Sequence, residues 1–205
     1  MTTLTLDRAI PNRRFHCLLL DIQDVMGRNG LNATLKLASL PQYLSHLPPP
    51  NNACESHASE YAAIIQAIET QLGSSARGQL NRIGHASFKH VIACDKLAWN
   101  AIFFTRHLLP TRQRLQRALT QLARYLSEPD ASVAVSSDQH RLLLVDESSD
   151  ATFGRQRNAE ICWLTLGQIQ ACMHWATGRN YEVVEVACKA RGHPGCKFEI
   201  GEPFE

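Results

Sequence analysis

The sequence predicts an α+β fold, a helical layer packed on an antiparallel sheet and closed by a C-terminal β-hairpin. Three observations carry that expectation. Apolar residues recur at helical spacing in the first part of the chain, at Tyr61, Ile64, Ile65, Ile68 and Leu72, and again at Leu115, Leu119, Leu122 and Leu126. Beyond them the period shortens, and Ser132 to Val135 and Arg141 to Asp146 are short β-prone runs. One further helical stretch, Cys162 to Thr177, then leads to two alternating runs, Tyr181 to Ala190 and Lys197 to Ile200, either side of an Arg191-Gly-His-Pro-Gly195 turn. Helices first, then strands around one long helix, is the order of a single α+β domain.

Taken in order, residues 1–14 are polar, contain Pro11, and read as a loosely held N-terminal arm; residues 15–205 read as one domain. Phe15 to Ile22 is a compact apolar run and reads as a strand. Gly27 and Gly30 precede leucines at 31, 35, 40, 44 and 47, so 30–46 is expected to be helical with a break at Pro41. Pro48-Pro-Pro-Asn-Asn52 stops that element. A helix ends at Gly73, and another covers 75–94. Leu97 to Leu109 is the most aromatic segment, with Trp99, Phe103 and Phe104, and Pro110 opens the helix that turns its leucines inward and its arginines outward. Ser148 to Arg157 reads as a polar loop. Gly178 stands just past the end of the 162–177 helix, where a left-handed cap residue belongs.

Composition narrows the function classes. With 205 residues, 44% hydrophobic and 20% charged, the chain can bury a sizeable core. No apolar run approaches the roughly 20 residues of a membrane helix, and Asp7 and Pro11 interrupt the start where a secretory leader would be apolar, so a cytoplasmic protein is expected. Net charge is +2, yet Lys96 to Ser127 carries Lys96, Arg106, Arg112, Arg114, Arg117 and Arg124 with no acid. Such a face is either solvated or a docking surface for a protein partner. No nucleic-acid-binding motif accompanies it.

Seven cysteines is a high and odd count. Cys17, Cys54 and Cys94 are scattered and read as small hydrophobes. The others crowd the C-terminal part. Cys188 and Cys196 flank the hairpin turn, Glu185 lies three residues before Cys188 on the same strand, and Cys162 opens the preceding helix. Three thiols and a carboxylate can form a closed tetrahedral zinc site, structural rather than catalytic because no position is left for water. By spacing alone, buried reduced thiols remain the alternative. Cys172, His174 and His193 are weaker candidates.

The stretch Glu185-Val-Ala-Cys188-Lys-Ala-Arg-Gly192-His-Pro-Gly195-Cys196-Lys-Phe198-Glu-Ile200 resembles the C-terminal signature of the 4-vinyl-reductase-like domain, which also serves as the sensory module of bacterial activators that respond to aromatics. Gly27-Arg-Asn-Gly30 and Gly84-x-x-Ser87-Phe88 look like its earlier landmarks. The resemblance implies a zinc held by Cys162, Glu185, Cys188 and Cys196, whose intervals of 23, 3 and 8 match those of the sensors. It also implies an α+β fold related to gas-sensing haem proteins, dimerisation through the helical layer, and a bulky apolar ligand. Because standalone members are associated with chlorophyll and bacteriochlorophyll synthesis, the expected ligand is a tetrapyrrole intermediate, bound as by a carrier.

Phe88, His90, Trp99, Phe103, Phe104 and His107 are the residues expected to line the ligand cavity, between segment 88–107 and the sheet. No hydride-donor site is legible, nor GxGxxG, P-loop, HExxH or GxSxG. The expectation therefore leans away from an enzyme and assigns no catalytic residue. The alternatives are an adaptor that binds protein through the Arg112–Arg124 face, and an enzyme on tetrapyrroles with His90 or His107 as acid or base.

Overall fold

The computed structural model describes residues 7–127, 132–137 and 141–204. It shows the α+β fold that the change of period implies. Six helices, α1 (Asn12–Leu37), α2 (Ala58–Leu72), α3 (Ala76–Cys94), α4 (Lys96–Thr105), α5 (Thr111–Leu126) and α6 (Trp163–Thr177), accompany two sheets among the described residues. A small antiparallel pair joins β1 (Ala9–Ile10) to β2 (Ser56–His57). The larger sheet is antiparallel with order β3-β4-β6-β5, where β3 is Val133–Ser137, β4 Leu142–Asp146, β5 Asn180–Ala187 and β6 Cys196–Phe204. The connection between β3 and β4 falls partly outside the described residues. None of the described helices is long and apolar enough to cross a membrane.

Three expectations are corrected. Phe15 to Ile22 is helix, not strand: Phe15, Leu18, Leu19 and Ile22 are the buried positions of α1, and their spacing is that of one helix face. The expected 30–46 helix is the second part of α1, which kinks at Gly27 (φ 73°, ψ 169°) and ends at Leu37. Only a short 3-10 turn, Pro41–Tyr43, follows. Residues 8–14, expected as a loose arm, are packed in place. Ile10, Asn12 and Arg14 are buried, and Asn12 Oδ1 accepts from the Ser56 backbone N–H at 3.0 Å and from the Ser56 hydroxyl at 3.1 Å.

The core has two apolar clusters on either side of the α3–α6 contact. Phe88, Trp99, Leu115, Leu119, Leu122, Ile169, Met173 and the inward residues of the large sheet form one. Phe15, Leu19, Ile22, Ile64, Ile65, Ile68 and Ile83 form the other. Reciprocal glycines bring α3 and α6 together. A Cβ on Gly84 would lie 2.0 Å from the Leu164 carbonyl oxygen, and one on Gly167 would lie 2.2 Å from that of Asn81. Only hydrogen fits at these positions, so the two backbones touch directly. Gln168 Nε2 then reaches across to the Ser87 hydroxyl at 2.9 Å. The Ser148–Arg157 segment is polar but not solvated: buried Asp150 pairs with Arg8 and with Arg14 (2.9 Å), and Arg14 also donates to the Leu126 carbonyl at 3.0 Å. This ion-pair hub ties the N-terminal segment to the end of α5.

A candidate metal centre and a helical ligand cleft

The hairpin places four ligand side chains at one point. β5 alternates strictly, burying Tyr181, Val183, Glu185 and Ala187, so a carboxylate occupies a position where the pattern calls for an apolar side chain. A register irregularity between Glu185 and Ala187 bends the strand there. Cys188 follows β5, Cys196 opens β6, and Cys162 is the N-cap of α6. Their ligand atoms all lie within 4.8 Å of one another, and all four residues are buried. This cluster can hold a metal ion.

The hydrogen bonds around it are those of a supported ligand set. The Cys162 N–H donates to Glu185 Oε2 at 3.0 Å, and the Lys189 N–H points to Cys196 Sγ at 3.4 Å. The Ser149 hydroxyl lies 3.8 Å from Cys162 Sγ. Glu185 Oε1 is buried with no hydrogen-bond partner among the protein atoms, which costs free energy unless a cation meets it. The acid–base balance says the same. Thiol hydrogen bonds from Cys162 and Cys196 push the Cys188 thiol far down, while Cys162 is pushed up chiefly because it donates to Cys188 and Cys196. Burial first, and then Cys188, raises Glu185 to about 8 against the opposing effect of its contacts with Cys162. Four acids this close cannot all ionise unless a positive ion stands among them. Cys162 Sγ and Cys196 Sγ are 3.4 Å apart. Tetrahedral zinc–thiolate bonds would hold them about 3.8 Å apart, so a small outward shift suffices.

The expected cavity residues are dispersed. Phe88 and Trp99 are core, stacked edge-on with centroids 5.2 Å apart, and Trp175 packs on Trp99 at 5.1 Å. Phe103 is partly exposed, Phe104 is 75% exposed, and His107 lies on the surface. His90 is half-buried on the opposite side of α3 from Phe88, its Nδ1 2.7 Å from buried Asp21. Cys172 is buried in the first core cluster and His174 and His193 are exposed.

Two voids lie among the helices. A cleft of about 560 Å³ runs between α4 and α5, walled by Ala98, Ala101 and Ile102 on one side and by Gln113, Gln116, Arg117, Thr120, Gln121 and Arg124 on the other. Behind it, sharing Gln121 and Arg124, is an inner cavity of about 240 Å³ reached by Arg13, Cys94, Asp95, Trp99 and Tyr125. Of the six expected residues only Trp99 lines either space. Asp95 sets this geometry: its Oδ1 accepts the Ala98 N–H at 3.2 Å, starting α4 directly after α3, and its Oδ2 accepts Gln121 Nε2 at 2.9 Å. A sequence reading that looks for aromatics passes over alanine and glutamine, which form most of the larger cleft's wall.

Residues 155–202, the span that carries all four cluster residues, match the 4-vinyl-reductase domain family, which bears out the resemblance drawn from the Glu185–Ile200 stretch. No curated protein sequence matches the chain. Among solved structures, a point variant of the H-NOX protein of T. tengcongensis is similar in fold, at 11% identity and a TM-score of 0.63 over 96% of this chain and 100% of that one. An H-NOX protein from S. oneidensis in the Fe(II)NO ligation state aligns at 11% identity and a TM-score of 0.58, over 93% of this chain and 99% of that one. The phenol-responsive sensory domain of the transcription activator PoxR, solved with phenol, shares 20% identity at a TM-score of 0.50, covering 71% of this chain and 74% of that one. At these identities the likeness is one of fold.

Proposed function

We propose that this protein binds a flat, aromatic, anionic small molecule of the tetrapyrrole class in the α4–α5 cleft, with a zinc ion at Cys162, Glu185, Cys188 and Cys196 as a structural staple. The observation that carries the binding reading is the composition of the cleft. Its volume of about 560 Å³ falls inside the ordinary range for ligand sites, roughly 300–1,000 Å³. The Ala98–Ala101–Ile102 wall is smooth enough for a ring face, and Arg117 and Arg124 supply the charge that carboxylates need. The lining holds no histidine, cysteine or carboxylate, so the cleft is equipped to hold a molecule rather than to move a proton. The fold neighbours that carry haem or phenol support the same class of function.

Zinc suits the cluster because three thiolates favour a soft, tetrahedral ion and the buried, unpartnered Glu185 Oε1 supplies the fourth donor. When bound, zinc would cross-link α6 to the hairpin. In this reading the protein works in the cytoplasm, a reducing compartment that matches seven unpaired cysteines. A second copy would cover the outer face of α4 and the turn that follows it, where Leu97 and Leu108 are 85% and 83% exposed. Light scattering tests that last point.

One specific observation favours a second ligand class. The inner cavity of about 240 Å³ is too small for a tetrapyrrole, but a space of about 150 Å³ already accommodates benzene. A single-ring phenol there would find Asp95 and Gln121 as hydrogen-bond partners. Titrating the protein with protoporphyrin, haem and phenol separates the readings. A shifted Soret band with no response to phenol supports the cleft. A response to phenol alone moves the site inward. Silence with all of them, together with capture of a defined protein partner through Arg112 and Arg124, replaces both with the adaptor reading.

A further inference from the structure

A second constellation of reactive side chains lies at the α1–α3 contact, remote in sequence from the metal cluster. Arg13, Cys17 and Asp21 follow one another at helical i, i+4 spacing on α1, and His90 and Cys94 do the same on α3. The 2.7 Å contact between Asp21 and His90 Nδ1 pins the two faces together. One turn along each helix from that contact, the same register brings Cys17 opposite Cys94, and the two thiols interact. Both cysteines are half-buried, and Cys94 and Arg13 form part of the wall of the inner cavity.

We propose that Cys17 and Cys94 are a dithiol–disulfide pair that hydrogen peroxide oxidises, with Cys94 as the attacking thiol and Cys17 as the resolving one. In the first step the Cys94 thiolate attacks one peroxide oxygen. The S–O bond forms, the O–O bond breaks, and the departing hydroxide takes a proton to leave as water. In the second step the Cys17 sulfur attacks the Cys94 sulfenic acid, the S–S bond forms, and hydroxide leaves with the Cys17 proton as a second water. Two thiols and one peroxide thus become one disulfide and two waters.

The assignment of roles follows from the local charges. The interaction with the Cys17 thiol, and then Arg13, bring the Cys94 thiol down to about 7 against the opposing effect of burial, while the Cys17 thiol is pushed up. Asp21 and His90 are positioning residues that keep the two helix faces in register. By contrast, Cys172 is fully buried and pushed up by burial alone, so it has neither the thiolate nor a partner sulfur. A disulfide here would fix α1 to the end of α3 beside Trp99 and the inner cavity.

The test is peptide mapping of the protein as purified, exposed to equimolar hydrogen peroxide, alkylated and digested without reduction. The expected result is loss of the free Cys17 and Cys94 thiols together, a joined peptide pair lighter by two hydrogens than its parts, and full recovery on adding dithiothreitol. In Cys17→Ser the joined pair is absent and a dimedone adduct marks Cys94 as sulfenic acid. Recovery of Cys17 and Cys94 as alkylated thiols, while oxidation is found at exposed Cys54 or within the metal cluster, overturns the proposal. The wild-type map alone decides this, whether or not the variant folds.

Discussion

The two ends of the molecule reverse the usual distribution of side chains. At the hairpin, four ionisable groups are buried against one another, with Cys162, Cys188 and Cys196 at 0% exposure. At α4, large apolar side chains such as Leu97, Phe104 and Leu108 face outward, while glutamines and arginines line the spaces within. Burying acids costs free energy that a bound cation would return, so in the proposed reading the hairpin end is where stability is made. Leaving an apolar helix face and a polar cleft uncovered costs cohesion, and that is the arrangement of a surface that meets other molecules. On the proposed reading, the difference teaches that the stapled end and the binding end are separate in this fold, joined through the tight α3–α6 glycine contact.

The largest effect should come from breaking the hairpin end. Cys196→Ala removes one thiolate and leaves the remaining ligands without a closed site. Structural zinc contributes on the order of 10 kcal/mol to folding in small zinc domains, which is comparable with a whole domain's stability of about 5–15 kcal/mol. The variant should accumulate as insoluble chain, and chelator should lower the melting temperature of wild type. Full solubility with an unchanged melting temperature would show that the cluster is not a staple.

The junction between the ends comes next. Gly84→Ala must force its methyl group into the Leu164 carbonyl, so α3 and α6 must separate; a loss of about 3 kcal/mol is expected from overpacking at this site. Trp99→Ala sharpens the comparison from the other side. It should cost about 3–5 kcal/mol because Trp99 fills the gap between Phe88 and Trp175. Chemical denaturation measures both, and zinc content should be unaltered in each if the ends are independent.

The hairpin was legible in the sequence because its parts are near one another. A charged residue at an inward position of an alternating strand, and cysteines either side of a glycine-containing turn, are visible within the 185–196 stretch. Cys162 entered because it opens the helix before the hairpin, and the family resemblance added its interval of 23 residues to Glu185; the fold brings it in as the cap of that helix. The helical end was less legible. Phe15 to Ile22 looks like a strand as a run, although its buried subset, Phe15, Leu18, Leu19 and Ile22, has helical spacing. His16 and Cys17 blur that pattern by sitting between polar and apolar. The cleft depends on where α4 sits against α5, and no local signal encodes that distance.

The smallest expected effect is a pH dependence set by two buried carboxylates, Asp21 at the α1–α3 face and Asp146 on β4. Burial, with a further push from Asp24 and an opposing pull from Lys89, raises Asp21 to about 8, and Asp146 is raised to about 6 chiefly by burial. The folded state therefore binds protons more tightly than the unfolded chain, whose Asp groups titrate near 3.9. Stability from these groups is present in full below that value and is lost as pH rises through the folded values. His90, lowered mainly by burial, works in the opposite direction and limits the change. The melting temperature should fall by a few degrees between pH 5 and 8, and Asp21→Asn should flatten that fall. A rise over the same range in wild type would mean that Asp21 is ionised in the folded protein.

The most direct test of the division into a stapled end and a binding end is an absorption titration of protoporphyrin against wild type and the Arg117→Ala/Arg124→Ala double variant, with melting curves on the same samples. Exposed substitutions of this kind ordinarily change stability by less than about 0.5 kcal/mol. The account predicts a Soret shift that saturates for wild type and is lost or weakened at least about tenfold in the variant, roughly 1.4 kcal/mol in binding, with melting temperature and zinc content unchanged. Equal binding by both proteins would contradict it, since the cleft's charged wall would then have no part in holding the ligand.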